Sequence, residues 1–125
     1  MKLINAEKAP KAVGPYSHAV VVNNTLYISG QLPLDPETMQ FVSDDVAEQT
    51  VQSLANLRSI LEECGATEKD VAKVTVFLAN MDDFGVVNGI YTEFFGDHKP
   101  ARSCVQVAKL PMGAKVEIEA IALIG

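Results

Sequence analysis

The amino-acid sequence predicts an α+β fold, in which one mixed sheet carries two helices on one of its faces. Three observations lead to this prediction: β-rich runs at both ends of the chain, two segments with helical periodicity, and a strand–helix–strand order over 70–110. Parallel strands need a crossover connection, so that order predicts a right-handed βαβ unit. The complete order is ββαβαββ, a mixed α/β sandwich formed by a single domain, 1–125.

Composition limits the classes of protein to which the chain can belong. It has 125 residues, of which 48% are hydrophobic, and a formal net charge of −6. The lysines are scattered, and an acidic chain without a basic run is poorly suited to following a phosphate backbone. No apolar run is long enough to span a membrane, and the N-terminus lacks the apolar region of a secretory signal. We therefore expect a cytoplasmic protein with no nucleic-acid or membrane partner.

The N-terminal half predicts a hairpin followed by a long helix. Residues 2–5 are a candidate edge strand, and the runs 17–22 and 25–29 are joined by two asparagines, which tolerate the positive φ of a tight primed turn. Two prolines and a glycine predict a loop over 30–41. Asp45 and Glu48 fit an N-cap and its acidic partner, and Gly65 fits the stop. The apolar stripe of this helix is Val51, Leu54, Leu57, Leu61 and Cys64.

The C-terminal half predicts three strands and a second helix. Residues 70–79 form a strand covered on at least one face, and the last two strands occupy 102–110 and 115–124. Asp82 or Asp83 caps a helix that ends near residue 95, with an apolar stripe of Phe84, Val87, Tyr91 and Phe94. Gly85 and Gly89 lie four apart on this helix, and a close approach of another backbone is the expected compensation for their cost of about 1 kcal/mol each.

Strand alternation groups the polar residues of the last two strands. Side chains two apart share a face, so Arg102, Cys104 and Gln106 point one way, and Val105 and Val107 the other way, toward the core. By the same rule Glu117 and Glu119 share a face, opposite to three apolar residues that we expect in the core: Val116, Ile118 and Ala120. A sheet face with an arginine, a thiol and two carboxylates is not an ordinary solvated surface.

Arg102 allows two interpretations at this point. It is one of only two arginines in a chain with eight lysines. It could form a structural salt bridge with Glu117 or Glu119, or its planar fork could bind a carboxylate in a bidentate pair that lysine cannot imitate.

Nucleophilic and metal-dependent chemistry have weaker support. Ser17 and His18 are adjacent on a strand and point to opposite sides, which opposes a serine hydrolase dyad. Spacing does not exclude a pair of Cys104 with His18 or His98. The cysteines lie far apart with no Cys-x-x-Cys or His-x-x-x-His pair, so we expect free thiols and no metal site.

The chain resembles the RidA family, also called the YjgF or reactive-intermediate deaminase family. The resemblance covers nearly all of the chain and is carried by five stretches in a fixed order: "GPYSHA", "YISGQLP", "VFLANMDDFGVVNGIYTEFF", "KPARSCVQVAKLP" and "VEIEAIA". It implies a chorismate-mutase-like fold and a homotrimer whose sheets surround a central barrel, with ligand sites in clefts between subunits. A neighbouring subunit would then complete the strand face that carries polar residues.

The resemblance also implies an activity and a set of site residues. The activity is hydrolysis of reactive 2-imino acids, formed from enamines such as 2-aminoacrylate, to 2-keto acids and ammonia, which protects pyridoxal-phosphate enzymes. Arg102 would hold the substrate carboxylate and Glu117 would position water, with Glu119 as the second candidate. Contacts would come from Cys104, Tyr16, Gly30 and Asn88. No cofactor is required. The alternative is a non-catalytic metabolite-binding or regulatory protein that uses the same cleft.

Overall fold

A six-stranded mixed sheet is the framework of the protein, whose computed structural model describes residues 1–125. In spatial order the strands run β1-β2-β3-β6-β4-β5, and their bounds are β1 (Lys2–Ile4), β2 (Ala19–Val22), β3 (Thr25–Gln31), β4 (Val71–Leu78), β5 (Ala101–Gln106) and β6 (Val116–Leu123). Only β4 and β5 are parallel; every other neighbouring pair is antiparallel. The predicted mixed sheet and the parallel pairing of the βαβ unit are confirmed, and the candidate edge strand near the N-terminus is β1.

The hairpin of β2 and β3 has the predicted two-residue loop. Asn23 has a φ of 55°, the left-handed conformation that a primed turn requires at its first central residue. The strand β5 ends earlier than predicted, because it pairs with β4 only as far as Leu78 opposite Gln106, whereas β6 matches its predicted range to within one residue at each end. Beyond that point β4 has ended, and the segment that follows has no strand to pair with.

Two helices pack on one face of the sheet, as predicted: α1 (Val46–Glu63) and α2 (Phe84–Phe95). Asp45 caps α1, since its side chain accepts a hydrogen bond from the Glu48 amide. The helices contribute fully or nearly buried side chains to one core: Leu54, Leu57, Ile60, Leu61, Val87, Tyr91 and Phe95. Neither helix combines the length and the apolar character that a bilayer crossing demands.

The buried face of α1 differs from its predicted apolar stripe. Val51 is 56% exposed, whereas four polar residues of the helix are buried: Gln49, Thr50, Ser53 and Asn56. The amide of Asn56 donates to the carbonyls of Leu32 and Leu34, each at 3.0 Å. The amide of Gln49 likewise donates to the Ser43 carbonyl at 2.9 Å, so two of these polar side chains satisfy carbonyl groups of the segment between β3 and α1.

The start of α2 and its glycines also depart from expectation. Asp83 occupies the N-cap without a side-chain hydrogen bond, and Asn80 instead caps the short 3-10 turn before the helix by accepting from the Asp82 amide at 2.9 Å. Gly85 and Gly89 are exposed, and a Cβ added at either would meet no atom within 4 Å. The predicted close approach is therefore not made within the chain.

The two faces of the sheet have different surroundings. We call the one beneath the helices the covered face; its central side chains are almost completely buried, and they include Val74, Val76, Leu78, Val116, Ile118 and Ala120. We call the other the open face, where apolar side chains stay partly or largely exposed, among them Tyr27 (48%), Phe77, Val105 (42%), Ile121 and Leu123 (57%). Val105 pairs with Phe77 on the open face, so its predicted core position is wrong.

Candidate active site

Arg102 lies on the edge strand β5 and is held against α2. It pairs with Val74, which places it on the covered face beyond the rim of the core. Its Nη1 donates to Asn88 Oδ1 at 2.7 Å. The guanidinium carbon lies 4.7 Å from the centre of the Tyr91 ring and 5.5 Å from that of Phe84, distances at which a cation is attracted to an aromatic face. These contacts fix the orientation of the guanidinium while leaving most of its donors free.

A cleft of about 310 Å³ opens beside this arginine. No carboxylate is among its lining residues, which are Asn88, Tyr91, Thr92, Phe95, Gly96, His98, Lys99, Pro100 and Arg102. In a chain with six more acidic than basic side chains, a cleft lined by Lys99 and Arg102 without an acid is a local exception. A prepositioned guanidinium with free donors suits a bidentate pair with an external carboxylate.

Cys104 follows Arg102 on the same face, and its properties argue against a nucleophile. Its side chain is half-buried against the core, and burial raises the pKa of the thiol, with Arg102 opposing that shift. The thiol form therefore predominates at neutral pH. The rings of both histidines bond elsewhere, His18 to the Pro10 carbonyl and His98 Nε2 to the Val71 carbonyl at 2.6 Å. Neither hydrogen-bonds to Cys104, so the Cys–His pair loses its structural basis.

Glu117 lies on the open face, where it pairs with Phe77. A Cβ added to Gly30 would lie only 2.6 Å from Glu117 Oε2, so glycine is required for the carboxylate to sit against the backbone of β3. Burial is the larger cause, and the charge of Glu119 the smaller, of a raised pKa at Glu117. A half-buried carboxylate whose pKa is moved toward neutrality suits a group that accepts and returns protons.

Tyr16 lies near Gly30. It precedes β2 in a segment without regular structure, and its ring packs over Gly14. Tyr16, His18 and Gly30 line one small cleft, and Tyr16 is 49% exposed. The chain therefore presents two groups of predicted site residues: Arg102, Asn88 and Cys104, which we call the arginine group, and Glu117, Gly30 and Tyr16, which we call the glutamate group.

The two groups do not meet within one chain. Val74 and Val76 of β4 pair with Arg102 and Cys104 on the covered face, whereas Thr75 and Phe77 pair with Glu119 and Glu117 on the open face. Side chains paired across a sheet share a face, so the arginine and the carboxylates are on opposite sides. The expectation of one polar face shared by Arg102, Cys104 and the two glutamates is wrong, and a salt bridge between Arg102 and either glutamate is not formed in the chain.

Sequence reasoning missed the aromatic support of Arg102. Phe84 and Tyr91 were assigned only to the apolar stripe of α2, yet their rings lie beneath the guanidinium. Their spacing of seven residues, with Asn88 between them, places all three on one side of the helix. In the sequence alone this pattern indicates support for an arginine only if it is already known that β5 lies beside α2. No group of three or more His, Cys, Asp or Glu side chains is placed to hold a metal ion.

Comparison with known proteins places the chain in a family. The family model described as Endoribonuclease L-PSP, which represents the RidA/YjgF proteins, matches residues 6–124.

The chain belongs to this family.

Relatives within the RidA family are similar over nearly all of this chain. A mouse protein named 2-iminobutanoate/2-iminopropanoate deaminase is 52% identical over 124 residues, which are 99% of this chain and 92% of the mouse protein. A crystal structure from Thermotoga maritima is 52% identical with a TM-score of 0.96 and covers 100% of this chain and 98% of its own. The structure of Escherichia coli TdcF with bound serine is 41% identical, has a TM-score of 0.95 and covers 100% of both chains.

Proposed function

We propose that this chain is a 2-iminobutanoate/2-iminopropanoate deaminase, which hydrolyses reactive 2-imino acids to 2-keto acids and ammonia. Its physiological role is to remove imines and their enamine tautomers before they inactivate pyridoxal-phosphate enzymes. The name of the mouse relative supports the reaction, since the two chains are 52% identical over nearly their full lengths.

The observation that carries this proposal is the state of Arg102. The guanidinium is oriented by Asn88 and two aromatic rings, faces a cleft without a carboxylate, and keeps donors for an external acid. Every 2-imino and 2-keto acid carries a carboxylate next to the reacting carbon. The E. coli relative TdcF binds serine, an amino acid with a carboxylate in the same position.

The protein acts as a cytoplasmic homotrimer in this proposal. The arginine group and the glutamate group lie on opposite faces of one sheet, so a site that contains both takes one group from each of two chains. Half-exposed apolar side chains on the open face, including Tyr27, Val105 and Leu123, provide the surface for packing sheets around a central barrel. Three equivalent clefts between subunits follow from this symmetry.

The chemistry needs positioning more than activation, because an imine is already electrophilic. Arg102 holds the substrate carboxylate through two charge-assisted hydrogen bonds. Water adds to the carbon of the protonated imine as Glu117 takes the proton of water, which leaves a carbinolamine with a neutral amine. Glu117 then passes that proton to the amine, and the carbon–nitrogen bond breaks as ammonia leaves. The hydroxyl gives its proton back to the Glu117 carboxylate as it becomes the carbonyl of the keto acid.

The remaining site residues shape the cleft. Asn88 fixes the guanidinium, Tyr16 forms a wall, and the backbone groups of Gly30 and Cys104 contact the ligand. Glu119 acts on Glu117 through its charge, which helps to keep the proton affinity of that carboxylate high. The description of the family model raises RNA cleavage as another activity. The net charge of −6 and the scattered lysines argue against it.

A coupled assay tests the proposal. Threonine dehydratase generates 2-iminobutanoate, and the release of 2-ketobutanoate and the loss of the imine are followed with and without this protein. We expect acceleration by the wild type and a loss of about 100-fold or more in kcat/KM for Arg102→Ala, because two charge-assisted hydrogen bonds disappear. Arg58→Ala is the matched control, since Arg58 also stacks on an α2 ring, that of Phe94 at 4.5 Å.

The outcomes separate the hypotheses. Imine hydrolysis that is no faster with the wild-type protein refutes the deaminase proposal. If such a protein still binds 2-ketobutanoate through Arg102, the non-catalytic metabolite-binding alternative replaces it. Full activity in Arg102→Ala refutes the role of this residue as the carboxylate anchor.

A further inference from the structure

His18 is a buried titratable side chain that the proposed reaction does not use. Only 4% of it is exposed, although it lies just before β2 in a segment without regular structure. What covers it is the N-terminal strap, which we define as residues 5–16. The strap contains no helix or strand and carries Tyr16 at its end.

Three hydrogen bonds join His18 to the strap. Its Nδ1 accepts from the Ala6 amide at 2.9 Å, and its Nε2 bonds to the Pro10 carbonyl at 2.7 Å. The backbone N–H of His18 donates to Asn5 Oδ1 at 3.2 Å. An amide N–H can only donate and a carbonyl oxygen can only accept, so the ring is the neutral tautomer with its hydrogen on Nε2. The His18 ring thus bridges two backbone groups of the strap, the amide of residue 6 and the carbonyl of residue 10.

The backbone of residues 17 and 18 is also hydrogen-bonded to β3, next to the glutamate group. The His18 carbonyl accepts from the Ser29 amide at 2.9 Å, and the Ser17 carbonyl accepts from Ser29 Oγ at 2.7 Å. Ser29 is followed by Gly30, against which Glu117 sits. Tyr16, His18 and Gly30 line one cleft. His18 therefore connects the strap, through hydrogen bonds, to the part of β3 that lies beside Gly30 and Glu117.

We propose that His18 is a positioning residue that latches the N-terminal strap and so holds Tyr16 beside Gly30 and Glu117 in the binding cleft. The inference extends the proposed function, because it assigns Tyr16 a place in that site. His18 touches no substrate. Its effect is on the order of the strap, and therefore on the affinity for ligand more than on the rate of the chemical step.

The test compares three proteins with intact chains. They are the wild type, His18→Phe, which keeps a flat ring without polar atoms, and His18→Gln, which keeps an acceptor and a donor and is the matched control. Four quantities are measured at neutral pH. They are the hydrogen-exchange protection factor of the Ala6 amide in free protein, the Kd for 2-ketobutanoate, and KM and kcat for the imine.

We expect His18→Phe to lower Ala6 protection and weaken ligand binding about tenfold at neutral pH, with kcat within about threefold, because two hydrogen bonds are lost. His18→Gln, which keeps an acceptor for the Ala6 amide, should lose less of the Ala6 protection and less ligand affinity than His18→Phe. Full Ala6 protection in His18→Phe, or equal losses in the two variants, overturns the latch. If His18→Phe does not fold, His18→Ala takes its place in the comparison.

The readouts also separate this inference from the proposed function. Protection of Ala6 and binding of 2-ketobutanoate are measured without any hydrolysis. A wild type that hydrolyses no imine refutes the deaminase, whereas unchanged ligand affinity in a His18→Phe protein with an unprotected Ala6 refutes the positioning role of the latch.

Discussion

The two faces of the sheet are made from the same strands but differ in how they are completed. On the covered face, Val74, Val116 and Ile118 are 0% exposed beneath α1 and α2. On the open face, Tyr27 and Leu123 of neighbouring strands are 48% and 57% exposed. The chain buries the first face with its own helices and leaves the second, which also carries apolar side chains, without a cover of its own.

This difference explains why the predicted site residues separate. Arg102 extends from the rim of the covered face, while Glu117 sits on the open face. A chain that covers only one face of its sheet with its own helices can carry half of a site on each of the two faces. Four predictions test this comparison.

The largest expected effect comes from a charge on the open face. Ile121→Asp should separate the proposed trimer into folded monomers, because an unpaired carboxylate is costly to bury between sheets. Imine hydrolysis should then fall to the background rate. Sedimentation gives the mass, and circular dichroism shows whether the chain stays folded.

Val51→Asp is the control for this charge, since Val51 is 56% exposed on the outer side of α1. It should change neither mass nor activity. A trimeric, active Ile121→Asp protein would show that the open face is not the assembly surface.

A pair of isoleucines on β6 compares the two faces by stability. Ile118→Ala should lower the free energy of unfolding by about 2–5 kcal/mol, because it leaves a cavity in a core position that is 0% exposed. Ile121→Ala should act mainly on association, so that dilution dissociates it at a higher protein concentration than the wild type. Urea denaturation and light scattering over a dilution series measure the two effects. Equal effects of both substitutions on the dissociated chain would contradict the comparison.

Glu117→Gln tests the open-face half of the site. We expect kcat to fall about 100-fold, because the group that accepts the proton of water is removed. In the wild type the reactive form is the carboxylate, and its pKa is raised by burial and by Glu119. Activity should therefore fall on acidification at a higher pH than for an ordinary carboxyl group.

Glu119→Gln serves as the paired variant on the same strand face. It removes one cause of the raised pKa, so the loss of activity in acid should begin at a lower pH while kcat near neutrality is kept. If Glu119→Gln is the variant that loses activity and Glu117→Gln is not, the roles of the two glutamates are reversed.

The smallest effect is expected on the covered face, at Cys104. Cys104→Ser should retain kcat/KM within about threefold, because burial raises the pKa of the thiol and no histidine activates it. Inactivation of a correctly assembled Cys104→Ser protein would indicate covalent catalysis instead. The same coupled assay measures this variant.

Local patterns predicted the elements well, and the exceptions have physical causes. The hairpin around Asn23, the Asp45 cap and the parallel βαβ unit follow from backbone preferences and periodicity that act over a few residues. Val51 was wrongly predicted to face the core. The buried side of α1 instead carries donors such as Asn56 for loop carbonyls, and hydrophobic periodicity gives no information about such hydrogen bonds. The sequence indicated the role of Gly30 only weakly. A glycine is needed there because the carboxylate of Glu117 lies against it, and Glu117 is distant in sequence.

By itself, the sequence determined the fold class, the family and which polar side chains share a face along one strand. Alternation correctly groups Arg102 with Cys104, and Glu117 with Glu119. Only the tertiary structure decided on which face each pair lies, because that depends on how β5 and β6 align with the intervening β4. An edge strand such as β5 carries no regular pattern of buried residues that would reveal its orientation. The separation of arginine from glutamate is thus a property of strand register, which forms between segments far apart in the chain.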